Sequence, residues 1–258
     1  MATILAIHAH PDDVEHLCAG TLSLLAAKGH ALKIVTATAG ECGSSGPDLA
    51  ETAAMRKAEA AAAAAMIEAE YRCADLPDLG VFNDDPCRRR ITEMVRWASP
   101  DVVITASPVD YHPDHEAVSL LVRDACFAAS VPHYATGSAQ PMITIPHLYF
   151  MDPIGGRDRE GRWVADDFGV DVSGAFETKG RMLLAHESQH AWVERQHGIS
   201  DHLASMEAFS RRKGKDFGTE LAEGFRQYRN TPYPRTPRLQ ELVGEALRTP
   251  TDAVRASS

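Results

Sequence analysis

Four short apolar runs, each followed by a stretch with helical spacing, constrain this chain more than any other feature. "TILAIHA" (3–9), "ALKIVTATAG" (31–40), "YRCADLP" (71–77) and "PDVVITASP" (100–108) lack a helical period and predict buried strands. Helices are predicted between them, over about Val14–Lys28, "AETAAMRKAEAAAAAAMIEAE", "CRRRITEMVRWAS" and "DHEAVSLLVRDACFAAS". The alanine run is a strong helix former by propensity. Strand and helix alternating at these lengths predict an α/β fold, a Rossmann-like three-layer sandwich with a mostly parallel sheet. "HLYFMDP" and "DFGVDVS" predict later strands, and a further helix is expected from about Ala175 to Glu187.

At 258 residues the chain is long enough to bury a substantial core. One domain is expected over 1–226. A partly irregular C-terminal extension, 227–258, follows, because "RNTPYPRTPRL" is rich in proline and arginine and "TPTDAVRASS" reads as a frayed tail. The net charge of -10 argues against nucleic acid or an anionic membrane as the main partner. No apolar stretch approaches the roughly 20 residues needed to span a bilayer, and no basic, then apolar, leader opens the chain. The 5 cysteines are scattered and odd in number, with no CxxC pair, which predicts reduced thiols and a cytoplasmic location. The proline-rich tail could wrap a neighbouring subunit, which leaves a homo-oligomer open.

A doubly wound sheet gathers its ligand site at the carboxyl ends of its strands. "HAHPDDVEHL" (8–17) follows the first predicted strand and "SPVDYHPDH" (107–115) ends the fourth. His8, His10, Asp12, Asp13, His112, Asp114 and His115 are therefore expected on one sheet edge. A nicotinamide dinucleotide is excluded, because its site needs a glycine-rich turn where this chain has paired carboxylates. Either tetrapeptide alone could be a helix cap. Two independent caps, each at the end of a parallel strand, explain less than one shared metal. A catalytic zinc takes three N/O ligands and keeps one position open, and the absence of cysteine from both clusters speaks against a closed structural zinc. A metal-dependent phosphohydrolase is a rival, although that chemistry often uses two metals and more carboxylates than these.

"AHPDDVEHLCAGTL" and "DYHPDHEAV" resemble the two signature segments of the LmbE-like, or PIG-L, zinc-dependent deacetylases. Supporting likeness runs through "TATAGECGSSG", "MRKAEAAAAA", "DLPDLGV" and "KGRMLLAHESQ", so it covers roughly 3–190, with "AEGFRQYR" a weaker echo. The resemblance implies hydrolytic removal of an N-acyl group, typically acetyl, from a small N-acetylglucosamine-type substrate. A thiol-sugar conjugate or a non-sugar N-acyl metabolite is the alternative. By position, His10, Asp13 and His115 resemble the zinc ligands and Asp12 the general base. His112 resembles the residue beside the oxyanion, with Asp114 as the carboxylate holding it protonated. Iron(II) or cobalt would be accepted by the same ligand set.

Arg56 and Asp78 match family positions that meet the sugar, and Glu41 is expected to reach a hydroxyl from the end of the second strand. Leu79 departs from the glycine usual after this aspartate, which implies a different fit at that wall. His8 is expected to pack rather than ligate, and Glu15 to favour the helix start. Tyr111 is left out of the catalytic set, and His16 has no assigned role. His186 is expected either to line the pocket or to pack the last helix, and His190, His197 and His202 carry no motif. Since Asp12 and His112 are both present, a family member that has lost catalysis is not the expected reading.

Overall fold

Strand β1 (Thr3–His8) is paired on both sides by parallel neighbours, β2 (Ala31–Thr38) and β4 (Val102–Thr105). Its alternating side chains explain why it is apolar throughout. Ile4 and Ala6 enter one core with Leu17, Leu22 and Leu25, while Leu5 and Ile7 enter the other with Ile91, Val95, Leu121 and Val122. The computed structural model of the chain describes residues 1–43, 48–189 and 201–252. Part of the Gly/Ser-rich loop (44–47), His190, His197 and the end of the tail (253–258) lie outside the described residues.

On the first face lie α1 (Asp13–Leu17), α2 (Ala19–Ala27), α3 (Leu49–Ala65) and α6 (Phe176–Leu184); on the other lie α4 (Asp85–Ala98) and α5 (Pro113–Ala128). With β3 (Glu70–Leu76), β5 (His147–Met151), β6 (Phe168–Asp171), β7 (Ala222–Gln227) and β8 (Leu247–Arg248), the strand order is β3-β2-β1-β4-β5-β7-β6-β8. The first five strands of that order are parallel, and β7, β6 and β8 add antiparallel pairs. This is the mostly parallel three-layer α/β architecture that the alternation predicts. The chain reverses its direction of winding between β1 and β4, so a crevice opens at their carboxyl ends.

The helix expected over Val14–Lys28 is two helices, broken at Cys18, whose backbone leaves the helical region at φ -144°, ψ 7°. The cause is a buried carboxylate from the far end of the chain. Glu223 on β7 accepts hydrogen bonds from Gly20 N–H (2.9 Å) and Thr21 N–H (2.7 Å), the amides that a helix start leaves unpaired, and it is neutralised by buried Lys179.

A second buried charge cluster anchors α7 (His202–Phe217) to the sheet. Lys213 Nζ lies 3.1 Å from Asp152 Oδ2, just past β5, and bonds Asp166 Oδ2, just before β6. The segment after β7, set apart in sequence as an extension, folds onto the core. Leu239 and Val243 of α8 (Arg238–Val243) are fully buried, and β8 pairs with β6.

Candidate active site

The loop from β1 into α1 carries the first cluster in a strained shape. Asp12 has φ 94° and ψ -23°, the left-handed region that a residue with a side chain rarely adopts, and it makes no side-chain cap bond. The cap explanation for this aspartate therefore fails. Arg56 holds the loop from α3. Its guanidinium donates to Pro11 O (2.9 Å) and Gly40 O (2.5 Å), with Nη2 3.8 Å from Asp12 Oδ1. Gly40, at φ +66°, has no room for a Cβ, because the Arg56 guanidinium fills that space.

The second cluster begins α5. His112 is its N-cap, with Nδ1 accepting the Asp114 N–H at 3.2 Å, and this loop meets the first across the β1–β4 junction. His10 Nδ1 lies 3.2 Å from His115 Nε2 and 3.4 Å from Asp13 Oδ2, and the latter two are 3.5 Å apart. A tetrahedral ion with ligands about 2.1 Å away requires donor separations of about 3.4 Å, so these three atoms could hold one divalent ion. His112 can also join His10 and His115, and His8 can join Asp13 and His115, in overlapping groups able to hold a metal.

The electrostatics of the cluster favour a cation. Burial disfavours a charge on His10, yet the carboxylates of Asp114, Asp13 and Asp78 raise its pKa well above the usual imidazole value. Burial likewise pushes Asp13 up, but His115 and His8 beside it hold the carboxyl well below the ordinary range. Asp12 is raised, by burial first and by neighbouring Asp13, against the pull of Arg56. Burial pushes His112 down to about 4, with His10 and His115 adding to the fall.

The remaining sequence candidates divide between the pocket and its supports. Asp78 lines the pocket and stands 3.1 Å from His10 Nε2. Asp114 Oδ2 accepts the Leu79 N–H (2.8 Å) and lies 3.5 Å from His10 Nε2. His112 Nδ1 accepts the Asp114 backbone N–H, and burial with His10 and His115 outweighs the upward pull of the Asp114 carboxylate on that ring. Leu79 sits at φ 59°, which is why glycine suits this position and how its N–H reaches Asp114. Glu41 lies behind the pocket, accepting the Asp78 N–H (3.1 Å), and is absent from the lining. Arg56 lines the pocket, but two of its bonds are spent on the loop.

His8 is fully buried behind the cluster, with Nδ1 2.7 Å from Asp13 Oδ2. His186 pairs with Glu15 at 3.4 Å, outside the pocket lining. Tyr111 crosses His112 and His115 edge-on, with ring centroids 5.7 and 5.8 Å away.

Two contributions escaped the sequence reading. Asp110 is buried behind the second cluster, with Oδ1 3.2 Å from His115 Nδ1 and accepting the His112 N–H, and Oδ2 accepting the Ile154 N–H. A carboxylate on the outer nitrogen of a ligating histidine fixes its tautomer and aim. Its signal was its place two residues before His112. The other is α7, which lines the pocket with His202, Ser205 and Phe209 and whose residues carry no motif. The whole cavity has a volume of about 720 Å³.

Residues 5–126 match the PIG-L family model, described as GlcNAc-PI de-N-acetylase. The chain is 29% identical over 237 residues to the 1D-myo-inositol 2-acetamido-2-deoxy-alpha-D-glucopyranoside deacetylase of Nakamurella multipartita, covering 73% of this chain and 80% of that protein. It is 25% identical over 197 residues to the 4-oxalmesaconate hydratase of Pseudomonas putida, covering 73% and 74% respectively. The crystal structure of a conserved protein from Thermus thermophilus matches with a TM-score of 0.73 at 27% identity, over 92% of this chain and 100% of that one. The matched segment contains both His/Asp clusters, so the part of the chain that carries them is similar to the PIG-L (LmbE-like) family.

Proposed function

We propose that the protein is a metal-dependent N-deacetylase acting on an N-acetylglucosamine-type amino sugar or glycoconjugate. The observation that carries this reading is the triangle of His10 Nδ1, Asp13 Oδ2 and His115 Nε2, with the strained Asp12 beside it. Held by those three residues, a divalent ion, zinc first and iron(II) or cobalt equally accommodated, would supply Lewis acidity and a water of lowered pKa.

The protein's own groups do the remaining work. Asp12, raised by burial, takes the proton of the attacking water and returns it to the nitrogen as the carbon–nitrogen bond breaks. The products are a free amine and a carboxylate. His112 accepts at Nδ1 from Asp114 N–H, so its neutral ring carries its proton on Nε2 and can donate to the carbonyl oxygen as that oxygen gains charge. Asp110 and Asp114 orient His115 and His10. Among the described lining residues Arg56 is the one guanidinium or ammonium, and it is already bonded to two carbonyls. A substrate bearing several carboxylates would therefore lack partners, which favours amide hydrolysis of a neutral sugar over the hydratase chemistry named for one relative.

The test is amine release from a panel of N-acetylglucosaminides by the zinc-loaded protein, beside a hydration assay. Asp12→Asn should keep its metal, measured by plasma emission, and lose about 10²- to 10⁴-fold in turnover. Silence across the panel with hydration of an unsaturated acid would reverse the assignment.

A further inference from the structure

A second cavity, of about 590 Å³, opens on the α4–α5 face, and none of its lining residues belongs to the His/Asp cavity. It is lined by Arg88 of α4, by Arg123, Asp124 and Phe127 of α5, and by Tyr228 and Tyr233 from the proline-rich segment after β7. About 18 Å of helix separates Phe127 from His115, at about 1.5 Å per residue along α5. Rings dominate the walls. Tyr228 meets Tyr233 edge-on, with centroids 4.8 Å apart and planes at 89°, which makes a right-angled corner. Phe127 is 49% exposed, a large apolar ring that the fold leaves uncovered.

The polar groups are few and unevenly used. Asp124 is satisfied, its Oδ1 accepting from Arg123 Nε (3.0 Å) and Nη2 (2.8 Å) and its Oδ2 from Asn83 Nδ2 (3.3 Å). Arg88 donates from Nη2 to Asn83 Oδ1 (3.2 Å), but its Nε stands 3.9 Å from Asp124 Oδ2 and its Nη1 4.0 Å from Asp85 Oδ1, beyond hydrogen-bond reach. The Tyr233 hydroxyl is spent on Arg123 O, whereas the Tyr228 hydroxyl has no partner among the described residues. Two guanidinia against one carboxylate leave the lining with a single positive charge, in a chain whose net charge is -10. Guanidinium donors match a carboxylate, and aromatic walls match a flat ring. A neutral molecule would leave the Arg88 donors unused, and a phosphate dianion would exceed the one charge on offer.

We infer that this cavity is a second ligand site, built for a planar aromatic carboxylate. The ring lies against Phe127 and the Tyr228–Tyr233 corner, and the carboxylate takes the free Arg88 donors, with the Tyr228 hydroxyl as a further donor. The site stands on its own residues and does not depend on the deacetylase reading.

The probe is 2-naphthoate, titrated calorimetrically into the full chain beside its neutral and dianionic counterparts, 2-naphthamide and 2-naphthyl phosphate. The carboxylate should bind at least about five-fold more tightly than either. Arg88→Gln should cut that preference to about two-fold or less, and Tyr228→Phe, which keeps the ring, should weaken 2-naphthoate about two- to twelve-fold, the worth of one hydrogen bond. Zinc-loaded and zinc-free protein should bind the probe alike, as should Phe209→Leu, whose side chain lines the other cavity. Equal affinity for the amide, tighter binding of the phosphate, or indifference to both Arg88→Gln and Tyr228→Phe overturns the site. Binding that requires zinc or falls in Phe209→Leu places the probe at the His/Asp cluster and overturns it too, as does the absence of any binding.

Discussion

Replacing Lys213 with methionine should weaken the fold most at alkaline pH. Lys213 Nζ is the one ammonium between the Asp152 and Asp166 carboxylates, and all three side chains are at most 3% exposed. Removing one partner of a buried ionic cluster leaves an uncompensated charge and costs about 3–5 kcal/mol. For a chain of this size, each kcal/mol shifts Tm by about 2–4 °C, so the expected fall at pH 8 is about 6–20 °C. The sign of the pH dependence follows from Asp152. Burial and the neighbouring Asp166 push its carboxyl up to about 7, against the pull of Lys213. Between the unfolded carboxylate pKa of about 3.9 and that value, the folded chain binds more protons than the unfolded one. Stability from this group is thus full at low pH and lost as pH rises through about 7.

Without the ammonium the folded pKa rises further. The gap between variant and wild type should therefore be wide at pH 8, narrow between pH 8 and about 6, and stay level from there to pH 5, where both folded chains hold a protonated acid that can stay buried without a counter-ion. Urea unfolding followed by circular dichroism at four pH values measures it. A gap below about 1 kcal/mol at pH 8, or one of equal size at pH 5, would refute the reasoning. Asp152→Asn in the Lys213→Met background should recover part of the loss at pH 8 and flatten its pH dependence.

Gly40→Ala forces a side chain into left-handed backbone, at about 1–2 kcal/mol, and displaces an Arg56 hydrogen bond worth about 1–3. A thermal melt should report about 2–5 kcal/mol in total, and a loss below about 0.5 would mean the guanidinium does not hold this loop. Asp110→Asn removes the carboxylate behind His115 and should weaken zinc binding about 10- to 100-fold in a competitive chelator titration. Unchanged affinity would show that His115 needs no such support.

The central sheet and the convergence of the two clusters were legible in the sequence because both depend on local patterns. β1, β2 and β4 are buried on both faces and therefore read as continuous apolar runs. Their carboxyl ends then fix where "HPDD" and "HPDH" meet. What was hidden depends on partners far along the chain. The break at Cys18 comes from Glu223, two hundred positions away, and nothing in the alanine- and leucine-rich stretch announces it. Helix α7 reads as a polar segment because its cavity-facing stripe is His, Ser and Phe rather than an aliphatic face. Family matching assigned Arg56 to the substrate, and its place at the end of the second strand assigned Glu41, yet their hydrogen bonds go largely to protein backbone. Such bonding is set by tertiary geometry and leaves no trace in residue spacing.

The rims of the sheet bear on how copies of this chain could associate. At one rim β3 carries exposed Glu70, Arg72 and Asp75, the last in left-handed backbone and paired with Lys57 and Arg90; at the other, β8 is 2 residues long. Neither margin offers the long, flat, uncharged template on which a foreign strand could crystallise. Any self-assembly should therefore be stitched through helical and loop surface, leaving the β-structure of each copy closed to polymerisation.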